Sequence, residues 1–196
     1  MGKWFTKLYD PLMQPLEKFK LQMIRKVLIQ KAKGKVLEIG SGTGFNFPYY
    51  TQVEKVTAIE PDLQMREQSL KRAEHAQVPI EVIIGDAESL PFPEHIFDTI
   101  VGTLVLCTIP NPDKALKEIQ RVCKPSGQIL FFEHVRMDHP LLGRLQDWAT
   151  PLWKRICGGC HLNRETLNII KKAGFTIVDV KEYNNGLLLV IKALNE

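Results

Sequence analysis

Apolar positions along the chain follow two spacings, one helical and one of short runs bounded by glycine, proline and polar clusters. Leu12, Leu16, Phe19, Met23, Val27 and Leu28 return at helical intervals, which predicts one amphipathic helix over about 12 to 32 with Pro15 tolerated in its first turn. Val36-Leu37-Glu38-Ile39 reads as a first strand ending in glycines, and residues 55 to 60 as a second, with a short helix between them. A helix over 63 to 76 follows, then strands over 80 to 84 and 97 to 101, the latter able to run on to Leu104. Asn111 caps and Pro112 opens a helix that reaches Val122, and residues 128 to 132 make a fifth strand.

Residues 134 to 162 leave this alternation, and their mostly helical pattern with Trp148 and Trp153 reads as an insertion capping a substrate site. A helix over 163 to 173 and strands over 175 to 182 and 187 to 194 close the chain, the last two joined at Asn184-Asn185-Gly186 as a hairpin. Strands alternating with helices specify a doubly wound α/β domain, and the final hairpin makes the last strand antiparallel in an otherwise parallel sheet. A length of 196 residues, with 44% hydrophobic and 24% charged, fits one domain over 1–196.

Charge changes the picture only at the amino end. The net charge is +4, but the first 35 residues carry +7 and the remainder −3, so this segment could meet anionic lipid or simply be a solvated helix face. Neither a signal-peptide pattern nor a run of about 20 apolar residues occurs, and the expectation is a soluble, cytoplasmic protein. Met1-Gly2-Lys3-Trp4-Phe5-Thr6 fits the loose N-myristoylation pattern. The four cysteines are expected as thiols, with Cys107 and Cys123 in the core. Cys157-Gly158-Gly159-Cys160-His161 spells a haem-attachment pattern but reads as a tight turn, and as a zinc set it lacks a fourth ligand; no metal site is expected.

The chemistry gathers at strand ends. Gly40-Ser41-Gly42-Thr43-Gly44 follows the first strand directly, where backbone without side chains lets a ligand approach. Phe45 stands where a dinucleotide fingerprint wants its third glycine, which argues against a nicotinamide enzyme. Glu60 ends the second strand, where a carboxylate can accept from both hydroxyls of a ribose, and Asp86 follows the third, within reach of an adenine amino group. Together these describe an adenosine site at a topological switch point.

Val36 to Gly44, Glu60-Pro61-Asp62, Asp86-Ala87-Glu88 with Leu90-Pro91-Phe92, and Arg121 to Gly127 resemble, in order, the motifs of class I S-adenosylmethionine-dependent methyltransferases, in the branch of the ubiquinone and menaquinone C-methyltransferases. Ser126 and Cys123 depart from that family's usual glycine and leucine. The resemblance implies a Rossmann-like seven-stranded sheet with a helical cap, N-terminal lid helices over 1–33, and S-adenosylmethionine as cofactor. It carries cofactor roles onto Glu38, Gly40, Ser41, Gly42, Gly44, Glu60, Pro61, Asp86, Ala87, Thr103 and Leu104. Glu38 would order the glycine loop or meet the methionine amino group, Thr103 and Leu104 would line the methionine end, and Tyr9 is either a closing lid residue or a simple helix start.

A narrower likeness runs through Gly102 to Thr108, Phe132-Glu133-His134-Val135 and Gly159 to Thr166, which resemble the alkyl-thiol S-methyltransferases called methyltransferase-like protein 7. That family carries an N-terminal membrane-anchoring segment, and no such anchor is expected here. The likeness implies a small apolar acceptor, an alkyl thiol first, with a quinone precursor or a phospholipid amine as alternatives. A thiolate is the reacting form of a thiol, so His134 is the candidate catalytic base, the alternative being a packing residue under the cap. Thr103-Leu104-Val105-Leu106 stands where a nucleic-acid methyltransferase carries a base-clamping motif, so nucleic acid is not expected as partner. Intact Glu60 and Asp86 argue against a noncatalytic binding module.

Overall fold

The computed structural model describes residues 3–17 and 21–196. Helices α1 (Lys3–Leu16) and α2 (Gln22–Ile29) lead into β1 (Gly34–Ile39), a single 3-10 turn at Phe47–Tyr49, and β2 (Val53–Ile59). There follow α3 (Leu63–Ala73), β3 (Ile80–Ile83), β4 (Phe97–Thr103), α4 (Pro112–Val122) and β5 (Cys123–His134). The chain ends with α5 (Pro140–Ile156), α6 (Thr166–Lys172), β6 (Thr176–Tyr183) and β7 (Leu188–Leu194).

The sheet has seven strands in the order β3-β2-β1-β4-β5-β7-β6, with β1 to β5 parallel and β7 antiparallel to both neighbours. The hairpin turn at Asn184, Asn185 and Gly186 has positive φ at all three (52°, 55° and 81°), the handedness that suits a twisted antiparallel pair. It inserts β7 between β5 and β6, so the antiparallel strand is last in sequence but lies inside the edge. Both sheet faces are covered. Ile100, Ile129 and Phe131 pack with α4 and α6 residues on one side, while Val36, Val56, Leu130 and Phe132 pack with Leu28, Ile29 and Phe47 on the other. Alternate residues of β5 thus enter opposite layers, as the period-2 pleat requires.

The helix expected over about 12 to 32 corresponds to α1 and α2, between which residues 18–20 lie outside the described residues while Glu17 and Leu21 on either side are helical; it begins earlier than expected, at Lys3. Pro15 therefore sits in the last turn of α1 rather than its first, with Pro11 one turn before it. Each proline withholds an N–H from the carbonyl four residues back, and in the last turn that costs little further helix. Phe19 of the expected stripe and Met1-Gly2 of the myristoylation pattern lie outside the described residues.

Candidate functional site

Strand register brings the chemistry together. Ile39 pairs with Ile59 on one side and with Gly102 on the other, so Gly40, Glu60 and Thr103 emerge level at the carboxyl edge. Gly40 has φ +64°, and a Cβ there would collide with Val105 Cγ2; Gly42 has φ +55° with open space where a Cβ would point. The loop is therefore closed beneath and open above. Glu60, 3% exposed, fixes it by accepting the Gly42 N–H at 2.8 Å on one oxygen and the Asp62 N–H at 2.9 Å on the other. Burial raises the Glu60 pKa, and these two backbone donors oppose the rise. Each oxygen keeps a second lone pair for a ligand hydroxyl. The buried Ser41 hydroxyl has no hydrogen-bond partner among the described residues, an unspent donor beside the open face of Gly42. Asp86 is exposed and accepts the Glu88 N–H at 2.9 Å, Ala87 is buried in the core, and Pro61 is exposed.

Below the loop lies a polar network that sequence reasoning found only in part. Glu38, 1% exposed, accepts the Tyr50 hydroxyl at 2.6 Å and the Asn46 amide at 3.0 Å, which ties the end of β1 to the residues after the glycine loop. Burial pushes its pKa up to about 7 against those bonds. Asn46 also donates to Thr103 Oγ1 at 3.1 Å. Arg25 was missed. Its guanidinium is 3% exposed, donates to Thr103 Oγ1 at 2.8 Å and Asn46 Oδ1 at 2.7 Å, and pairs bidentately with buried Glu17. A signal existed: Arg25 stands four residues after Leu21 and three before Leu28, both buried, so it lies on the apolar face where a cation is unexpected.

Helix α1 reaches the same loop. Asp10 accepts the Thr43 hydroxyl at 2.7 Å and Arg72 at 2.6 Å, and the Tyr9 ring lies 6.3 Å from that of Phe45. Burial raises the Tyr9 pKa to about 12, opposed by Arg25. Tyr9 lies inside α1 rather than at a helix start, and the ties to the loop are made by Asp10. A cleft of about 300 Å³ opens beside it, lined by Gln14, Glu17, Gln22, Phe45 and Tyr49.

The ends of β4 and β5 carry a second constellation. Leu104 has φ 54°, a left-handed conformation that a branched side chain rarely adopts, held by its N–H donating to Phe132 O at 2.7 Å. Buried Glu133 accepts the Val105 and Leu106 N–H groups at 3.0 Å, and burial pushes its pKa up to about 7. Arg164 donates to Leu106 O and Ile109 O, completing the turn. Within it His134 Nε2 lies 2.9 Å from Cys160 Sγ, which is 3.8 Å from Cys107 Sγ. Contact with Cys107 and then with His134 lowers the Cys160 pKa to about 4, against the effect of burial. His134 is raised, its burial outweighed by the Cys160 contact. Cys107 is core as expected, but its neighbours are Cys160 and His134; Cys157 and His161, grouped with Cys160 by sequence spacing, stand outside this cluster. His161 takes part only through its N–H, which donates to Cys107 O at 2.9 Å.

The expected cap differs in one respect. Helix α5 docks through a small polar seam in which Gln146 bonds Met137 N, Val135 O and Leu162 O. Its large apolar residues point away: Leu141, Leu145, Trp148, Leu152 and Ile156 are all more than half exposed, Trp148 at 81%. The aromatic character of residues 134–162 therefore does not roof a pocket through Trp148.

Comparison with known proteins agrees with this architecture. A family profile described as a methyltransferase domain matches residues 37–131. The thiol S-methyltransferase TMT1B of Rattus norvegicus is 37% identical over 150 residues, covering 74% of this chain and 62% of the rat protein. The chain thus spans less than two thirds of that relative. Phosphatidylethanolamine N-methyltransferase of Cereibacter sphaeroides is 33% identical over 107 residues, 54% of this chain and 53% of its own. A SAM-dependent methyltransferase structure from Aquifex aeolicus superimposes with TM-score 0.73 and 20% identity over the whole of both chains, a likeness of fold.

Proposed function

The chain belongs to the class I S-adenosylmethionine-dependent methyltransferases, and from that premise we propose that it transfers the cofactor's methyl group to the sulfur of a small apolar thiol. One observation carries the cofactor reading: buried Glu60 locks Gly42 beside a partnerless Ser41 hydroxyl, at the open side of a loop level with Thr103. This donor and acceptor set fits the cofactor. Glu60 would take the ribose hydroxyls and Asp86 the adenine amino group. At the other end Thr103 and Leu104 would line the methionine, with Arg25, its charge met by Glu17, bonded to Thr103. The cofactor supplies an activated methyl on a sulfonium, so the chain's work is alignment and exclusion of water.

The thiol acceptor is favoured by the similarity to the rat enzyme and by where His134 lies, two residues past Phe132, which pairs with Thr103. A free cysteine thiol has a pKa of about 8.5 and a plain alkyl thiol is a weaker acid still, so the reactive form is scarce at neutral pH without help, and His134 is the residue proposed to favour it. Initial rates of methyl transfer from S-adenosylmethionine to an alkyl thiol, a demethylated quinol and a phospholipid amine test this. Turnover on the thiol alone or far above the others is expected; turnover on the amine or quinol but on no thiol would sink the acceptor and leave the methyltransferase.

Hydrophobic acceptors partition into bilayers, and the N-terminal segment is proposed to make weak peripheral contact there. Among the described residues no helix is long and apolar enough to cross a membrane. Leu12, Met23 and Val27 are exposed on α1 and α2 within the +7 segment, which supports an electrostatic contact with anionic lipid. Co-sedimentation with anionic but not neutral vesicles, weakening between about 0.1 M and 1 M salt as the Debye length shortens, is expected; equal sedimentation with both would remove the contact.

A further inference from the structure

We propose that Cys107, His134 and Cys160 form a three-ligand zinc site whose fourth position takes the sulfur of the methyl acceptor; the fourth-position half rests on the thiol reading above. The ligands come from three separate places, the turn after β4, the last residue of β5 and the loop after α5. They nevertheless converge, with Cys107 Sγ, Cys160 Sγ and a His134 ring nitrogen all within 4.8 Å of one another. Tetrahedral zinc holds sulfur at about 2.3 Å and imidazole nitrogen at about 2.0 Å, so neighbouring ligand atoms stand roughly 3.5–3.8 Å apart. The two sulfurs are already 3.8 Å apart. The His134–Cys160 contact of 2.9 Å need open by only about 0.6 Å.

Two thiolates and an imidazole are the donors a borderline-soft cation selects. Glu133 is not one of the converging groups; its Oε1 accepts two backbone N–H groups, and its buried Oε2 has no hydrogen-bond partner among the described residues. His134 Nδ1 is buried with no hydrogen-bond partner among the described residues. Coordination through Nε2 would leave the ring proton on Nδ1. A disulfide between Cys107 and Cys160 would require the sulfurs to close to about 2.05 Å and leaves the convergence of His134 unexplained. Sequence spacing hid the site, because only Cys160 of the Cys-x-x-Cys-His run belongs to it.

Three protein ligands leave one position open, the arrangement of catalytic rather than structural zinc. An acceptor thiol entering there gives its proton to solvent and is held as the thiolate. Its sulfur then attacks the cofactor methyl carbon; the new carbon–sulfur bond forms as the sulfonium–carbon bond breaks, giving a neutral thioether and S-adenosylhomocysteine. The thioether carries no charge and leaves the cation more readily than the thiolate entered.

Titrating the reduced 196-residue chain with Co²⁺ as a spectroscopic probe for zinc tests the site. One equivalent with thiolate-to-metal absorption is expected, lost in Cys107→Ala and Cys160→Ala and kept in Cys157→Ala. If either cysteine variant fails to melt cooperatively, His134→Asn, at a half-buried ligand, replaces it and should weaken binding at least tenfold. Hexanethiol should then shift the absorption, and chelator treatment should lower thiol methylation at least tenfold, restored by zinc. Absence of stoichiometric binding, or binding undiminished in the ligand variants, overturns the site. Metal bound without a hexanethiol shift, or full methylation after chelation, overturns the fourth-position role. A metal site in a protein that methylates no thiol would leave the ligand set standing and refute the acceptor instead.

Discussion

Single side chains fix the geometry of the cofactor edge, and some announced themselves in sequence while others did not. Glu60 and the glycines were legible because their positions relative to strand ends are dictated by parallel register. Arg25 and Asn46 were not, because the network joining them to Thr103 spans 78 and 57 residues of chain and exists only once α2 packs on the sheet. Leu104 gave no hint of its positive φ, since nothing in a leucine calls for it. Glu38 yields a pH prediction. Its carboxyl, raised from 4.5 to about 7 by burial, keeps in the native state a proton that the unfolded chain releases. Its contribution to stability is therefore complete below about pH 4.5 and is lost as pH rises through about 7. Urea denaturation of wild type and Glu38→Gln at about pH 5 and pH 8 should move the difference between them against wild type by roughly 1–3 kcal/mol at the higher pH. A pH-independent difference would mean that Glu38 ionises as an ordinary carboxylate.

Among the elements, periodicity located every strand of the sheet and misjudged the two helical regions that flank the site. The strands were legible because each is a short apolar run bounded by turn residues, and those of the central sheet are buried on both faces. Helical spacing does reach before Leu12, since Trp4, Leu8 and Leu12 stand four apart, but placing Pro15 in a first turn set the expected start too late, proline being compatible with either end of a helix. Helix α5 misled in another way, since an apolar stripe reads as inward until the packing shows otherwise. Gln146 holds this helix through three hydrogen bonds while Trp148 is 81% exposed. Gln146→Ala should therefore cost about 1–3 kcal/mol by leaving buried backbone groups unpaired. Trp148→Ser should stay within about 0.5 kcal/mol. Chemical denaturation of both variants checks this, and the reverse order would mean that α5 packs through Trp148.

For the molecule as a whole, the β3-β2-β1-β4-β5-β7-β6 order places the switch between β1 and β4, where the chain turns from building outward on one side to building on the other. Open α/β sheets bind ligands at that crevice, and here the glycine loop, Glu60 and Thr103 line it together. His134, proposed to mark the acceptor end, lies further along the same edge, at the end of β5. The account stands or falls on that crevice being the cofactor site. Calorimetric titration of wild type and Glu60→Ala with S-adenosylmethionine measures it most directly. A single site is predicted for wild type. Its affinity should fall in Glu60→Ala by about 10- to 150-fold, the loss of about 1.5–3 kcal/mol expected for hydrogen bonds to a charged group. No binding by wild type, or equal affinity in a variant that still unfolds cooperatively, would contradict it.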